Sequence, residues 1–311
     1  MSERGFVHEK NGAGNVHKHA DTIDSVTPSS VKSPGNGFFR MHCVASPSSD
    51  NTSSHLRTEA SSAAILFHGM TGTPDEMTGL AEFLYLKGID VFVPQLAGHG
   101  KSVDELRTTR CFRWIHDAEE IMERVHSSAK YERIFAVGLS FGTLLASYLA
   151  LEYDDEVTGL IVLSPPMLLR SSKSEFILTF LSFLPEACLS LLGVSKKAER
   201  PAGIFVTPRN ALNYHSIGAL ARMFRIRRYM AKRLSRLKCP VVLLQDSNDH
   251  LLSPLSAERF AEIAGKERVR IVWIPDGEHE LTLGHKFREV LEEVYSFINS
   301  CPSGNLPSVE K

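Results

Sequence analysis

No two of the five cysteines in this 311-residue chain form a C-x-x-C pair. Cys43, Cys111, Cys188, Cys239 and Cys301 are odd in number and scattered, which supports neither a thiolate zinc site nor a disulfide framework. They read as buried or incidental thiols of a reducing compartment, and none sits in a glycine-bracketed turn that would present a nucleophile. An excess of one charge is also missing. Lys plus Arg number 35 and Asp plus Glu 36, so a net charge of -1 exerts no global pull on nucleic acid or anionic lipid. No apolar stretch of signal-peptide length follows Met1, and the acids Glu3, Glu9, Asp21 and Asp24 do not suit a transit peptide. The expected location is cytoplasmic.

What the chain does have is patterning. Residues 1–36 are rich in Ser, Gly, His and Asn and bury too little to offset their ordering entropy, so a disordered polar tail is expected there. Phe38 to Val44 reads as a first, edge strand, and Ser46 to Ser62 as a long loop. Short apolar runs then alternate with helical spacing. Strands are expected at 63–67, 89–93, 134–137, 160–163, 241–244 and 270–274. Helices are expected at 74–86, 114–125, 143–151 and 286–298. This alternation predicts an α/β fold with a mostly parallel sheet covered by helices on both faces. The core is expected over 37–165 and 235–300, with a flexible tail at 301–311. The alternation breaks over 166–234, where the apolar stretch Glu175 to Gly193 is interrupted by Pro185. That reads as a helical lid insertion of two short helices rather than a membrane span.

Three motifs carry chemistry. Gly138-Leu139-Ser140-Phe141-Gly142 is a G-x-S-x-G pentapeptide placed after a buried strand and before a helix. A turn that tight tolerates only small residues two before and two after the serine, and it lifts the hydroxyl above the sheet. His68-Gly69-Met70-Thr71-Gly72-Thr73-Pro74 ends the first buried strand, where a glycine loop can aim a backbone N–H at a substrate carbonyl. The expected oxyanion donors are the N–H groups of Met70 and Phe141, with His68 orienting the loop. Finally, Gln245-Asp246-Ser247-Asn248-Asp249 and Asp276-Gly277-Glu278-His279 follow the last two strands, at the same sheet edge as Ser140. Ser140, Asp249 and His279 then stand in the order nucleophile, acid, base. Asp246 and His285 are the competing acid and histidine. The early histidines His8, His17, His19, His42 and His55 are too irregularly spaced for a metal site, and no metal or cofactor is expected.

The runs 68–74, Pro94-Gln95-Leu96-Ala97-Gly98-His99-Gly100 and 138–142 together resemble the carboxylesterase and monoacylglycerol lipase branch of α/β hydrolases. Pro74-Asp75-Glu76-Met77, Trp114 at the head of its helix and Val162-Leu163-Ser164-Pro165 add to the likeness, which spans roughly residues 63–299. The resemblance implies a small-molecule ester as substrate, a short lid and the triad above. A monoacylglycerol lipase, a proline iminopeptidase-like peptidase and a catalytically silent binding protein are the alternatives. Phe141 stands where many relatives carry methionine, which implies a narrower pocket beside the serine. Between Arg222 and Lys238 lie eight cations and no acid. With an apolar stripe at helical spacing, they read as a helix with a solvated cationic face. The sharper alternative is peripheral contact of this run and the lid with an anionic membrane.

Overall fold

The computed structural model describes residues 31–32, 38–41, 60–129, 131–196 and 214–302. Most of the expected polar tail, most of the 46–62 loop, Cys43, the five early histidines and residues 303–311 lie outside the described residues.

The strands are β1 (Val31–Lys32), β2 (Phe38–Met41), β3 (Ser62–Phe67), β4 (Asp90–Pro94), β5 (Arg133–Leu139), β6 (Val157–Leu163), β7 (Val194–Lys196), β8 (Tyr214–Ser216), β9 (Val241–Gln245) and β10 (Val269–Trp273). The helices are α1 (Thr78–Leu86), α2 (Val103–Thr108), α3 (Cys111–Ser128), α4 (Phe141–Glu152), α5 (Ser172–Leu181), α6 (Glu186–Leu191), α7 (Ile217–Ala231), α8 (Leu255–Ala264) and α9 (Phe287–Ser300). One sheet runs in the order β1-β2-β4-β3-β5-β6-β9-β10, and its six strands from β4 to β10 are parallel.

Alternate residues of each apolar strand enter different cores. Ile65, Phe67, Ala136 and Val162 pack on one face beneath α3 and α4, through Trp114, Leu144 and Leu145. Ala64, Leu66, Val137 and Ile161 pack on the other beneath α1 and α9, through Leu80, Leu84, Val290 and Val294. A two-residue period that is apolar on both sides requires two covering layers, and the helical spacing elsewhere in the chain supplies them. The strand order reverses between β3 and β5, so a crevice opens at their carboxyl ends.

Three readings need correction. Phe38–Met41 is not the edge: it pairs antiparallel with β4 on one side and with Val31–Lys32 on the other, so two residues of the segment expected to be a disordered tail form a strand that shields its backbone groups. The segment from Pro74 is not one helix but a 3₁₀ turn, Pro74–Met77, followed by α1. The 222–238 cations form a solvated face only in part: Lys232, Arg236 and Lys238 are exposed, but two arginines of α7 are buried. Arg222 is fully buried, giving Nε to Glu186 Oε2 at 2.6 Å, Nη1 to the Arg107 carbonyl and Nη2 to Ser190 Oγ. Arg227 is buried too, with both Nη atoms on the Glu175 carboxylate at 3.1 and 2.6 Å. Arg222 and Arg227 thus turn inward and tie α7 to α6 and α5.

The insertion between β6 and β9 holds α5, α6, the β7–β8 hairpin and α7, with Pro185 separating the two short helices. Among the described residues no helix is long and apolar enough to cross a membrane. Removing Glu186 strands the Arg222 charge in a dry site. Glu186→Ala is therefore expected to destabilise the protein by about 3 kcal/mol, read from chemical denaturation.

Candidate active site

β5 ends and α4 begins with one residue between them. Ser140 takes φ 50°, ψ -115°, in the left-handed half of backbone space that a side chain disfavours. The neighbours explain both glycines of the motif. A Cβ at Gly138 would overlap the Gly142 carbonyl, and one at Gly142 would overlap the Phe67 carbonyl at the end of β3. The turn is locked by Ser140 N–H donating to the Leu163 carbonyl at 2.8 Å, and by Thr143 Oγ1 donating to the Ser140 carbonyl at 2.6 Å.

The loops after β9 and β10 bring two more side chains to this turn. His279 Nε2 lies 3.0 Å from Ser140 Oγ, and its Nδ1 lies 2.7 Å from Asp249 Oδ2. Asp249 Oδ1 accepts the N–H groups of Leu251 and Leu252 at 2.7 and 2.9 Å. Asp249 and His279 are both buried. Burial by itself pushes the Asp249 carboxyl up. The imidazole beside it and the two backbone donors outweigh burial and hold it below the usual carboxylate range. For His279 burial is again the largest single effect and lowers its pKa, but the Asp249 charge and hydrogen bond reverse the sign. An ionised Asp249 keeps the proton on Nδ1 and leaves the Nε2 lone pair facing the serine hydroxyl.

The competing residues have other occupations. Asp246 accepts Asn248 N–H at 2.8 Å and Glu278 N–H at 3.0 Å, bracing the loop that carries His279. His285 pairs with Glu278 at 3.4 Å and is exposed. Two contributors escaped the sequence reading. Ser164, buried at the end of β6 with φ 53°, donates its hydroxyl to the His279 carbonyl at 2.9 Å. Glu76, buried in the turn after β3, accepts the Gly69 N–H at 3.0 Å.

His68 is fully buried, and burial, with the nearby His99, lowers its pKa to about 3. The neutral ring donates from Nδ1 to the Gly69 carbonyl at 2.9 Å and accepts Leu96 N–H on Nε2 at 3.3 Å, so it orients the 69–72 loop. The N–H groups of Met70 and Phe141 donate to no acceptor among the described residues. The Phe141 ring does not narrow the pocket. It turns into the core, edge-on to Trp114 at 5.0 Å and stacked on His99 at 6.3 Å.

Ser140 and His279 open onto a cavity of about 300 Å³ whose walls are largely apolar, among them Leu169, Leu178, Leu220, Met223, Phe224 and Leu252. All of these but Leu252 come from the insertion. Among the described residues no cluster of three or more His, Cys, Asp or Glu is arranged to hold a metal.

Residues 58–285, more than half of the chain, match the family described as Serine aminopeptidase, S33 (Hydrolase_4). The thermostable monoacylglycerol lipase of Bacillus sp. (strain H-257) is 24% identical over 75% of this chain and 88% of its own length. The carboxylesterase of Bacillus subtilis (strain 168) is 25% identical over 76% and 92%. Among solved structures, one described with the metagenome-derived lipolytic enzymes LipS and LipT superposes with a TM-score of 0.69 at 22% identity, covering 86% of this chain and 98% of that one. A soluble variant of the Saccharomyces cerevisiae monoglyceride lipase superposes with a TM-score of 0.68 at 16% identity, covering 89% and 97%. The structures share the fold, and the family match extends from before β3 to the loop beyond His279. The chain belongs to the Serine aminopeptidase, S33 family of α/β hydrolases.

Proposed function

We propose that the chain is a serine carboxylesterase acting on small or medium-chain carboxylic esters through an acyl-enzyme on Ser140. The observation that carries this reading is the unbroken chain of short contacts from Asp249 through His279 to Ser140 Oγ, opening on an apolar cavity. Ser140 Oγ attacks the ester carbonyl carbon as its proton passes to His279 Nε2, and Asp249 stabilises the imidazolium. The carbonyl electron pair moves onto oxygen, where the N–H groups of Met70 and Phe141 receive it, aided by the positive end of α4. Collapse expels the alkoxide, which takes the proton from His279. Water then gives a proton to His279, attacks the acyl carbon and releases the acid with Ser140 restored.

Ester rather than amide is supported by the two Bacillus relatives, named as a lipase and a carboxylesterase. The cavity lies at the lower end of the range for small-molecule sites, about 300 to 1,000 Å³, which favours short acyl groups. A second reading, monoacylglycerol lipase, is favoured by one feature of the insertion, which acts in either case as a lid. Phe176, Ile177, Phe180 and Phe183 form an exposed apolar stripe along α5 and just past it, suited to a lipid surface. A series of nitrophenyl esters from acetate to palmitate, with a long-chain monoacylglycerol in micelles and an aminoacyl amide, separates the readings. A maximum at butyrate to octanoate is expected. Preference for the micellar monoacylglycerol would favour the lipase, and cleavage of the amide alone would overturn both.

A further inference from the structure

The loop after β3 contains a carboxylate that none of the steps above uses. Glu76 is 3% exposed, and a carboxylate is costly to bury unless it is hydrogen-bonded. Its Oε2 accepts the Gly69 N–H at 3.0 Å from seven residues away. The same carboxylate occupies the space above Gly72, where any Cβ would overlap it, and a Cβ at Gly69 would come within 3.2 Å of Oε2. Glycine at both positions makes room for Glu76.

The consequence follows from peptide geometry. The Gly69 carbonyl and the Met70 N–H belong to one planar trans unit and point in opposite directions, so whatever holds the carbonyl aims the N–H. His68 Nδ1 and the Gly72 N–H hold that carbonyl at 2.9 and 3.2 Å. Glycine adds little restraint of its own, because its φ and ψ are the freest of any residue. The unit before it, which ends in the Gly69 N–H, is held by Glu76. With both units gripped, rotation about Gly69 is closed off and the Met70 N–H keeps its direction.

We propose that Glu76 is a positioning residue for the oxyanion hole: by accepting the Gly69 N–H it fixes the Gly69–Met70 peptide and aims the Met70 N–H at the tetrahedral oxyanion. This inference rests on the reading of Ser140 and Met70 given under the proposed function. A misplacement near 1 Å in such a site costs about 10²-fold.

The test uses the full chain with Glu76→Ala, Glu76→Gln, Gly72→Ala and the double variant Gly72→Ala/Glu76→Ala. Melting temperature, kcat and KM on nitrophenyl butyrate and inhibition by an alkyl trifluoromethyl ketone are measured. Ser140 adds to that ketone to give a tetrahedral oxyanion. Glu76→Ala is expected to lose about 10²-fold in kcat with KM held within about twofold, and ketone affinity falls in step. Glu76→Gln keeps an acceptor oxygen and is expected to retain most of kcat. Gly72→Ala drives its methyl into the carboxylate and loses about 10-fold in kcat, a loss that vanishes in the Glu76→Ala background. If Glu76→Ala does not fold, Gly72→Ala decides by its kcat and ketone affinity. Wild-type values in folded Glu76→Ala or Gly72→Ala would overturn the role. So would a change confined to KM or melting temperature, or a Gln variant as impaired as the Ala variant. Undiminished turnover in Ser140→Ala would instead remove the underlying nucleophile reading, which keeps the two failures apart.

Discussion

Ser140→Ala is expected to lower kcat on nitrophenyl butyrate by about 10⁶-fold, with KM nearly unchanged. The size follows from the site having one nucleophilic oxygen in line with His279 Nε2, at 3.0 Å. What remains is the contribution of the oxyanion donors and of binding, about 10³–10⁴ over water. Folding changes little, because the turn is fixed by backbone bonds and by Gly138 and Gly142 rather than by the Ser140 hydroxyl. A loss of only about tenfold would mean that another group attacks the ester. Ser164 is poorly placed for that, since its hydroxyl is spent on the His279 carbonyl in a buried position.

Asp249→Asn is expected to lower kcat by about 10⁴-fold while leaving the loop in place. The asparagine oxygen can still accept the N–H groups of Leu251 and Leu252, so the turn survives. Its NH₂ then faces Nδ1 of His279 and forces the tautomer with the proton on Nε2, which has no lone pair left for the serine proton. The pH profile provides a separate readout. His279 has to be neutral to act as base, and the Asp249 charge raises its pKa above the ordinary 6.5. Wild-type kcat/KM is therefore expected to fall as pH drops through that raised pKa. Removing the Asp249 charge moves that acid limb to lower pH. An unchanged limb, or a loss below tenfold, would mean that Asp249 does not control the imidazole.

The sheet was readable from sequence because strands buried on both faces must be short apolar runs, and few other elements look like Ala63 to Phe67 or Val241 to Leu244. The turn at Ser140 was readable because both glycines answer collisions with backbone four to five residues away or at the end of the neighbouring strand. The two buried arginines of the insertion were misread because an arginine looks the same in sequence whether it faces solvent or a buried acid. Glu186 and Glu175 lie 36 and 52 residues before the arginines they meet, beyond any local pattern. Ser164 and Glu76 went unassigned for a related reason. One acts on a carbonyl 115 residues away, and the other lies in a Pro-Asp-Glu turn whose polar composition suggests exposure. Helices α2 and α8 were not anticipated either. In α2 only Val103 and Leu106 are apolar, and the buried side of α8 is mostly alanine, which gives little hydrophobic contrast.

The most direct test of the central assignment is covalent labelling of the intact protein with a fluorophosphonate, followed by mass spectrometry. Ser140 Oγ displaces fluoride at phosphorus, and the proton leaves through His279. One phosphonyl adduct mapping to Ser140 is expected on the wild type, and none on Ser140→Ala. Equal labelling of both proteins, or an adduct on a residue other than Ser140, would contradict its role as the nucleophile.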